Sequence, residues 1–223
     1  GFGPFPGVPA NATMRLIPTL AERARAAFTG IRIATEILPT EWRVAPARLD
    51  ALYRTHRPDV ALHFGVSSRA RGFEIESRGR NVRALVSDAC GEQPDSACIA
   101  DDGPDLRTAT LPVKRIVEEL RRMGLAAFVS RDAGTYLCNA LLYTTLETAA
   151  QSEAPVRAGF IHIPARLDAV RDALPTRIRH GLAPRHSVRH AAGPLTWPQT
   201  IDGALAILRV SLGQTPLMRP RGR

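Results

Sequence analysis

The stretch SRDAGTYLCNALLY, residues 130–143, joins a strand-like run to a helix-like run through the short polar turn RDAG. The run before the turn, LAAFVS at 125–130, is apolar and has the length of a buried strand. The run after it, TYLCNALLYTTLETAAQ at 135–151, has the spacing and length of a helix. Strands that lead into helices in this way are typical of α/β proteins, so the stretch predicts that fold class.

The rest of the chain repeats this alternation. Short apolar runs predict further strands at 31–39, 58–66 and 157–164. Helical spacing and end signals predict helices at 12–28, 45–56, 111–124 and 196–213, and a further helix from Pro164 to about residue 180. Residues 67–110 lack clear periodicity, which predicts short strands or an active-site loop. These elements predict one α/β domain over residues 1–223, with a mainly parallel sheet between helices on both faces.

Composition places the chain among ordinary globular proteins, at 44% hydrophobic and 23% charged residues. No apolar run approaches the roughly 20 residues that span a bilayer, and we expect no signal peptide. Three unevenly spaced cysteines do not suggest a disulfide framework, so we expect a reducing, cytoplasmic setting. The loop-like start GFGPFPG has no strand before it, and we therefore expect that one strand precedes residue 1 of this numbering.

The net charge of +9 is concentrated near the carboxyl end. Residues 165–223 hold ten Arg and three Asp and therefore carry +7. A basic stretch of this kind can bind nucleic acid or an acidic partner. The chain has 29 Arg and one Lys, however, which indicates codon bias, and its basic residues lack interleaved aromatics and a known motif. We therefore keep binding of nucleic acid or of an acidic partner only as an alternative function.

Cys138 lies in the first turn of the helix that follows the RDAG turn. A helix start carries partial positive charge and unpaired N–H groups, which favour a thiolate and can hold an oxyanion. His162, in the strand GFIHIP, can accept the thiol proton and return it to a leaving group. Glu76, in FEIESRGRN, can orient that imidazole. Spacing does not link the three residues, and a buried cysteine with a core histidine remains the alternative.

No metal site is predicted. His63 lies inside an apolar strand, and His180, His186 and His190 lie at irregular spacing in an Arg-rich linker. Metal-binding histidines usually have cysteine or carboxylate ligands beside them, and none is near in sequence. The glycine-rich GFGPFPG fits neither phosphate-binding motif. We therefore expect neither a metal nor a cofactor.

Seven stretches follow one another from residue 1 to about 164: GFGPF with Asn11 after it, ILPTEW, RPDVALHFGVS, the Glu76 segment, DDGPDLRTATLPVKRI, SRDAGTYLCNALLY and GFIHIP. In this order they resemble pyroglutamyl peptidase I, the pyrrolidone-carboxylate peptidase family, and the helix at 196–213 is similar to the family's closing helix. The pair formed by the Cys138 stretch and FIHIP is the most specific part of the resemblance.

The resemblance implies a three-layer αβα sandwich with a mixed, mainly parallel sheet. It implies a cysteine peptidase (an omega peptidase) that removes N-terminal pyroglutamyl residues from peptides through an acyl-enzyme, without a cofactor. The matching catalytic positions are Cys138, His162 and Glu76. An apolar pocket for the lactam ring is also implied, and the matching substrate-binding positions are Phe2, Phe5, Asn11, Tyr136 and Leu137. Family members occur as monomers and as tetramers, so a homo-oligomer is one state that the resemblance allows.

Two segments depart from the family pattern. Residues 77–100, SRGRNVRALVSDACGEQPDSACIA, lack the ERVAIN and PDN sequences of bacterial members and are closer to the vertebrate type. The Arg-rich segment 165–195 has no clear counterpart in the family. The first departure motivates one further alternative, a catalytically impaired relative that binds pyroglutamyl peptides without useful turnover.

Overall fold

The structure, a computed structural model, describes residues 1–167 and 195–214. Its helices are α1 (Thr13–Ala27), α2 (Val44–His56), α3 (Val113–Arg122), α4 (Leu137–Gln151) and α5 (Trp197–Ser211). They lie where the sequence predicts them, and Thr196 begins α5 with a capping box that includes Gln199. Among the helices of the described ranges, none has the length and apolar character needed to cross a membrane. The helix predicted to run to about residue 180, and most of the segment 165–195, lie outside the described residues.

The described residues contain six strands. They are β1 (Val60–Ser67), β2 (Phe73–Glu76), β3 (Arg78–Arg80), β4 (Leu106–Thr108), β5 (Ala127–Ser130) and β6 (Arg157–Pro164). Four of them pair in the order β1-β6-β2-β5, while β3 and β4 form a separate antiparallel pair. β1 is parallel to β6, and β2 is parallel to β5, whereas β2 and β6 are antiparallel. The predicted sheet, mixed with mainly parallel pairs, is confirmed.

Helices cover both faces of the sheet. Helices α1, α3 and α5 pack together on one face, and α2 and α4 pack on the other. Alternate side chains of β6 enter the two cores: Ile161 and Ile163 point toward the first group of helices, and Phe160 points toward the second. A strand buried on both faces is mostly apolar, which is why the buried residues 158–164 of RAGFIHIP are apolar except for His162. The molecule is therefore an αβα sandwich of three layers.

The prediction of a strand at 31–39 is wrong. Residues 31–37 have no regular secondary structure, and Leu38 makes only an isolated bridge to Phe2. A strand needs a hydrogen-bonded neighbour along its length. Here a groove of about 690 Å³ is lined on one side by this segment and on another by β1. The backbone nitrogen of Gly1 donates to the carbonyl of Glu36.

The polar segment 67–110 contains the short strands β2, β3 and β4, as the sequence predicts. Strand β2 enters the centre of the main sheet, between β6 and β5, although it has only four residues. Its side chains alternate, so that Phe73 and Ile75 lie in the core beside α3 and α5, while Glu74 and Glu76 point to the other face. Two carboxyl groups are thereby placed on the face that carries α4.

Candidate active site

Cys138 is the second residue of α4 and is half-buried. The helix starts without a side-chain cap, since Tyr136 at the N-cap position makes no capping hydrogen bond. N–H groups in the first turn of a helix have no partner within the helix, and the helix dipole adds positive potential there. A negative charge on the Cys138 sulfur, or on an oxygen beside it, is favoured at this position.

Gly65 in β1 gives the Cys138 sulfur room beside the sheet. A Cβ at this position would lie 3.3 Å from Sγ of Cys138 and 2.6 Å from Cζ of Phe160. A side chain at residue 65 would therefore displace the Phe160 ring and press on the sulfur. Gly65 is also the register partner of His162 in the parallel β1–β6 pair. The sulfur and the imidazole are thus brought to the same part of the sheet.

His162 and Glu76 form a buried pair. Nδ1 of His162 lies 2.8 Å from Oε1 of Glu76, and the residues are 5% and 0% exposed. Antiparallel pairing of β2 with β6 sets His162 opposite Glu74 and places Glu76 two residues further along the same face. Because Nδ1 is engaged by Glu76, Nε2 is the ring nitrogen that remains for the thiol of Cys138.

The charged form of His162 is strongly favoured. Burial of the ring opposes its charge, but the hydrogen bond and charge of Cys138, together with those of Glu76, outweigh burial and raise the pKa of His162 to about 10. An imidazolium between a carboxylate and a sulfur is stabilised from both sides. The site therefore favours a protonated imidazole beside the Cys138 sulfur, which is the arrangement that a cysteine nucleophile needs.

Asn139 belongs to the site and was not predicted from the sequence. Its buried side chain accepts a hydrogen bond from the Arg80 N–H and donates to the carbonyls of Arg80 and Val82. The Arg80 guanidinium in turn donates to Asp132 and to the carbonyl of Gly134, in the turn before α4. These bonds fix the start of α4 to the chain that follows β3. The sequence feature that could have indicated Asn139 is its polar side chain among the apolar residues at the start of the helix.

Aromatic rings line one side of the site. Among the predicted residues, Phe5 lies 6.0 Å from Tyr136, and Phe2 lies 5.7 Å from Phe160, measured between ring centroids. Trp42 meets Tyr136 edge-on at 5.1 Å. Neither Trp42 nor Phe160 was singled out from the sequence. The rings extend from the glycine-rich loop to the start of α4.

The other two predicted substrate-binding residues are engaged by the protein itself. Asn11 is buried, with Nδ2 donating to the carbonyl of Gly3 and Oδ1 accepting from the backbone N–H and the hydroxyl of Thr13. It thereby ties the glycine-rich loop to the start of α1. Leu137, the first residue of α4, is 1% exposed and packs in the core between α4 and the sheet. A role in substrate binding remains a prediction for both residues.

The segment that departs from the bacterial pattern is bonded to the site. The N–H of Ala84 donates to the carbonyl of Thr135, just before α4. The indole of Trp42 donates to the carbonyl of Val86, and the backbone N–H of Trp42 donates to the carboxylate of Asp88. Residues 82–88 therefore lie against the aromatic side of the site.

Glu74, Glu76 and His162 bring potential metal ligands together: one donor atom from each lies within 4.8 Å of the others. Oε2 of Glu76 is buried and has no hydrogen-bond partner within residues 1–167 and 195–214. A metal needs a neutral imidazole, however, and with a pKa near 10 His162 holds a proton that a cation would have to displace. The group suits an imidazolium between carboxylates better than a metal ion.

Of the other histidines singled out from the sequence, only His63 lies in the described residues. His63 in β1 is buried, and its Nε2 lies 2.8 Å from the hydroxyl of Thr145. His180, His186 and His190 fall outside the described residues. Of the histidines that the structure describes, His162 is the one that faces both a cysteine and a carboxylate.

Known proteins match both the sequence and the fold. Residues 1–178 match the family model described as pyroglutamyl peptidase. A pyrrolidone-carboxylate peptidase of Ralstonia nicotianae is 38% identical over 165 residues, which make up 74% of this chain and 75% of the relative. One from Pseudomonas fluorescens is 32% identical over an alignment that covers 95% of this chain and 97% of the relative.

Two solved structures show the same likeness over nearly the whole chain. Pyroglutamyl peptidase I of Bacillus amyloliquefaciens superposes with a TM-score of 0.73 at 28% identity, covering 95% of this chain and 93% of that one. The pyrrolidone carboxyl peptidase of Pyrococcus furiosus gives a TM-score of 0.72 at 26% identity, covering 96% of each chain.

Proposed function

The chain belongs to the pyroglutamyl peptidase family, and we propose that it is a cysteine peptidase that uses Cys138, His162 and Glu76 to remove N-terminal pyroglutamyl residues from peptides. One observation carries the proposal: the carboxylate of Glu76 lies 2.8 Å from Nδ1 of His162, and Cys138 is close enough to the same ring to raise its pKa. A nucleophile, a proton carrier and an orienting acid are the three roles of such a triad.

Acylation begins when the Cys138 thiolate attacks the carbonyl carbon of the pyroglutamyl residue. The carbonyl oxygen becomes negative, and N–H groups at the start of α4 donate hydrogen bonds to it; one such donor is worth about 3–4 kcal/mol in comparable sites. The His162 imidazolium then gives its proton to the departing amine. The C–N bond breaks, the shortened peptide leaves, and a thioester to Cys138 remains.

Deacylation reverses the proton transfer. Neutral His162 takes a proton from a water molecule, whose oxygen adds to the thioester carbonyl. The C–S bond breaks, pyroglutamate leaves, and the thiolate–imidazolium pair is restored. Glu76 keeps the proton on Nδ1 and the ring in one orientation during both steps, so that Nε2 faces the sulfur and the reacting atoms.

Recognition of the substrate follows from its lack of charge. A pyroglutamyl residue is a flat lactam without an ammonium group, so it needs apolar surfaces and a few hydrogen bonds and no anionic partner. The partly exposed rings of Phe5 and Tyr136 offer such surfaces, and the buried ring of Phe2 packs against Phe160. An N-terminal glutamyl residue would bring a charged amine to an apolar wall, at a cost in solvation. We therefore expect pyroglutamyl substrates to be preferred over glutamyl ones.

The proposal is tested by replacing the nucleophile. Cys138→Ser keeps the shape of the side chain but not the ease of ionisation, so kcat/KM for a pyroglutamyl-coumarin substrate should fall roughly 1,000-fold or more. The circular dichroism spectrum and the melting temperature should stay close to those of the wild type. Cys98→Ser is the matched control, because Cys98 is also a free, half-buried cysteine, and it should retain full activity.

Two outcomes would count against the proposal. Turnover by Cys138→Ser at the wild-type rate would remove Cys138 from the mechanism. A wild-type protein that binds a pyroglutamyl peptide in calorimetry but releases no product would instead be a catalytically impaired relative.

A further inference from the structure

Glu74 takes no part in the mechanism above, yet it lies directly opposite His162 in the antiparallel β2–β6 pair. Residues opposite each other in such a pair have Cβ atoms about 4.5–5.5 Å apart. A carboxylate oxygen of Glu74 lies within 4.8 Å of a donor atom of His162 and of one of Glu76. The imidazole therefore has two carboxyl groups beside it, where an orienting role requires one.

We propose that Glu74 is a positioning residue that supplies a second negative charge to His162 and so extends the pH range in which Cys138 and His162 remain an ion pair. The inference rests on the proposed function, since it assigns Glu74 a role toward the proton carrier of that reaction. Glu74 acts through the ring and contacts no reacting atom.

The order of the strands places Glu74 and Cys138 on opposite sides of the ring. β6 lies between β1 and β2. The sulfur of Cys138 lies near Gly65 on the β1 side, while Glu74 is the cross-strand neighbour on the β2 side. A negative charge at Glu74 is therefore nearer to the imidazolium than to the thiolate, and it stabilises the former more than it repels the latter.

The charged groups around Glu74 come from several elements. Glu76 lies on its own strand, His162 on β6, and Arg69 in the turn after β1. Strand β5 contributes the uncharged Phe128 as the register partner of Glu74. Partial burial raises the pKa of Glu74, and Glu76 adds to this effect, whereas the positive charges of His162 and Arg69 oppose it. The protonation of Glu74 and that of His162 are thus coupled.

The size of the effect follows from distance. A unit charge about 5 Å away, seen through solvent of high dielectric constant, shifts the pKa of an imidazolium by about half a pH unit, and more in drier surroundings. Removal of the charge should lower the pH at which His162 gives up its proton. A substitution that only disturbed packing would reduce activity at every pH and leave that pH unchanged.

The test measures the reactivity of Cys138 without a substrate. In a Cys90→Ser, Cys98→Ser background, the rate of Cys138 alkylation by iodoacetamide is recorded from roughly pH 4 to 11, and kcat/KM for a pyroglutamyl-coumarin substrate is recorded in parallel. In Glu74→Gln, the alkaline inflection of both profiles should move down by about half a pH unit. Glu118→Gln, which removes an exposed carboxylate on α3, should leave both profiles unchanged. Glu74→Asp, which keeps the charge, should return the inflection toward the wild-type position.

An alkaline inflection in Glu74→Gln at the wild-type pH would overturn the inference, even if turnover fell. An equal shift in Glu118→Gln would also overturn it, because the effect would then be one of net charge. Failure of the proposed function looks different, since a wild-type protein that hydrolyses no pyroglutamyl substrate but shows the shifted alkylation profile in Glu74→Gln would contradict the peptidase assignment and support the role of Glu74.

Discussion

His63 and His162 lie on adjacent strands, each beside the Phe160 ring, and are buried to a similar extent, at 8% and 5% exposure. Their pKa values nevertheless move in opposite directions. Burial is the main cause that lowers the pKa of His63 to about 3. The pKa of His162 rises to about 10 because Cys138 and Glu76 outweigh the same burial.

The partners explain the difference. Nε2 of His63 bonds to the neutral hydroxyl of Thr145, which does not compensate a charge. His162 has a carboxylate on one side and a sulfur on the other. Burial therefore makes a histidine a neutral packing residue unless a counter-charge is buried with it, and the counter-charge marks the functional one.

The largest expected difference between the two histidines is in turnover. His162→Ala should lower kcat/KM roughly 1,000-fold, because proton transfer by a positioned group is worth about 10²–10⁴-fold. His63→Gln, which keeps a hydrogen-bonding group for Thr145, should leave kcat/KM within about threefold of the wild type. Glu76→Gln should fall between them, at roughly 100-fold, since it alters the orientation of the ring and leaves the ring in place. A loss in His63→Gln as large as that in His162→Ala would abolish the distinction.

A smaller effect is expected on the free energy of unfolding. The contributions of His63 and His162 to it depend on pH in opposite directions. The charge on His162 stabilises the fold fully below pH 6.5, the ordinary value, and this contribution is lost as the pH rises toward 10. His63 must stay neutral in the fold, so stability is retained above pH 6.5 and lost as the pH falls toward 3. Each contribution is on the order of a few kcal/mol at its extreme.

Urea unfolding at acid, neutral and alkaline pH measures both contributions. His63→Gln should flatten the acid side of the stability profile, and His162→Gln should flatten the alkaline side. Profiles of the two variants that change on the same side would contradict the opposite protonation states of the two rings.

Much of the fold was predictable because it depends on local sequence patterns, such as apolar runs and helix caps. RAGFIHIP is apolar after Arg157 except for His162, as suits a strand covered on both faces, and it forms β6. Thr196 and Gln199 form a capping box at the start of α5. The segment 31–39 shows the limit of such patterns, since its alternation suits a strand but its residues 31–37 have no paired neighbour among the described residues. Strand formation depends on a partner that local sequence does not reveal.

The site was predictable only in part. The position of Cys138 at a helix start follows from the strand–turn–helix pattern. The link between His162 and Glu76 depends on the antiparallel pairing of β6 with a four-residue strand, which no spacing in the sequence predicts. Asn139 and Trp42 were missed for the same reason, because their partners at Arg80 and Val86 are distant in sequence.

The account depends on a positive charge on His162 at neutral pH, beside a neutral His63. Titration of the ring nitrogens by ¹⁵N NMR tests this directly, with the His162→Gln and His63→Gln spectra used for assignment. The predicted result is an imidazolium at His162 that loses its proton near pH 10, and a neutral ring at His63 that remains so well below pH 6.5. A His162 ring that is neutral at pH 7, or that titrates at the ordinary value near 6.5, would contradict the ion pair with Cys138 and the mechanism built on it.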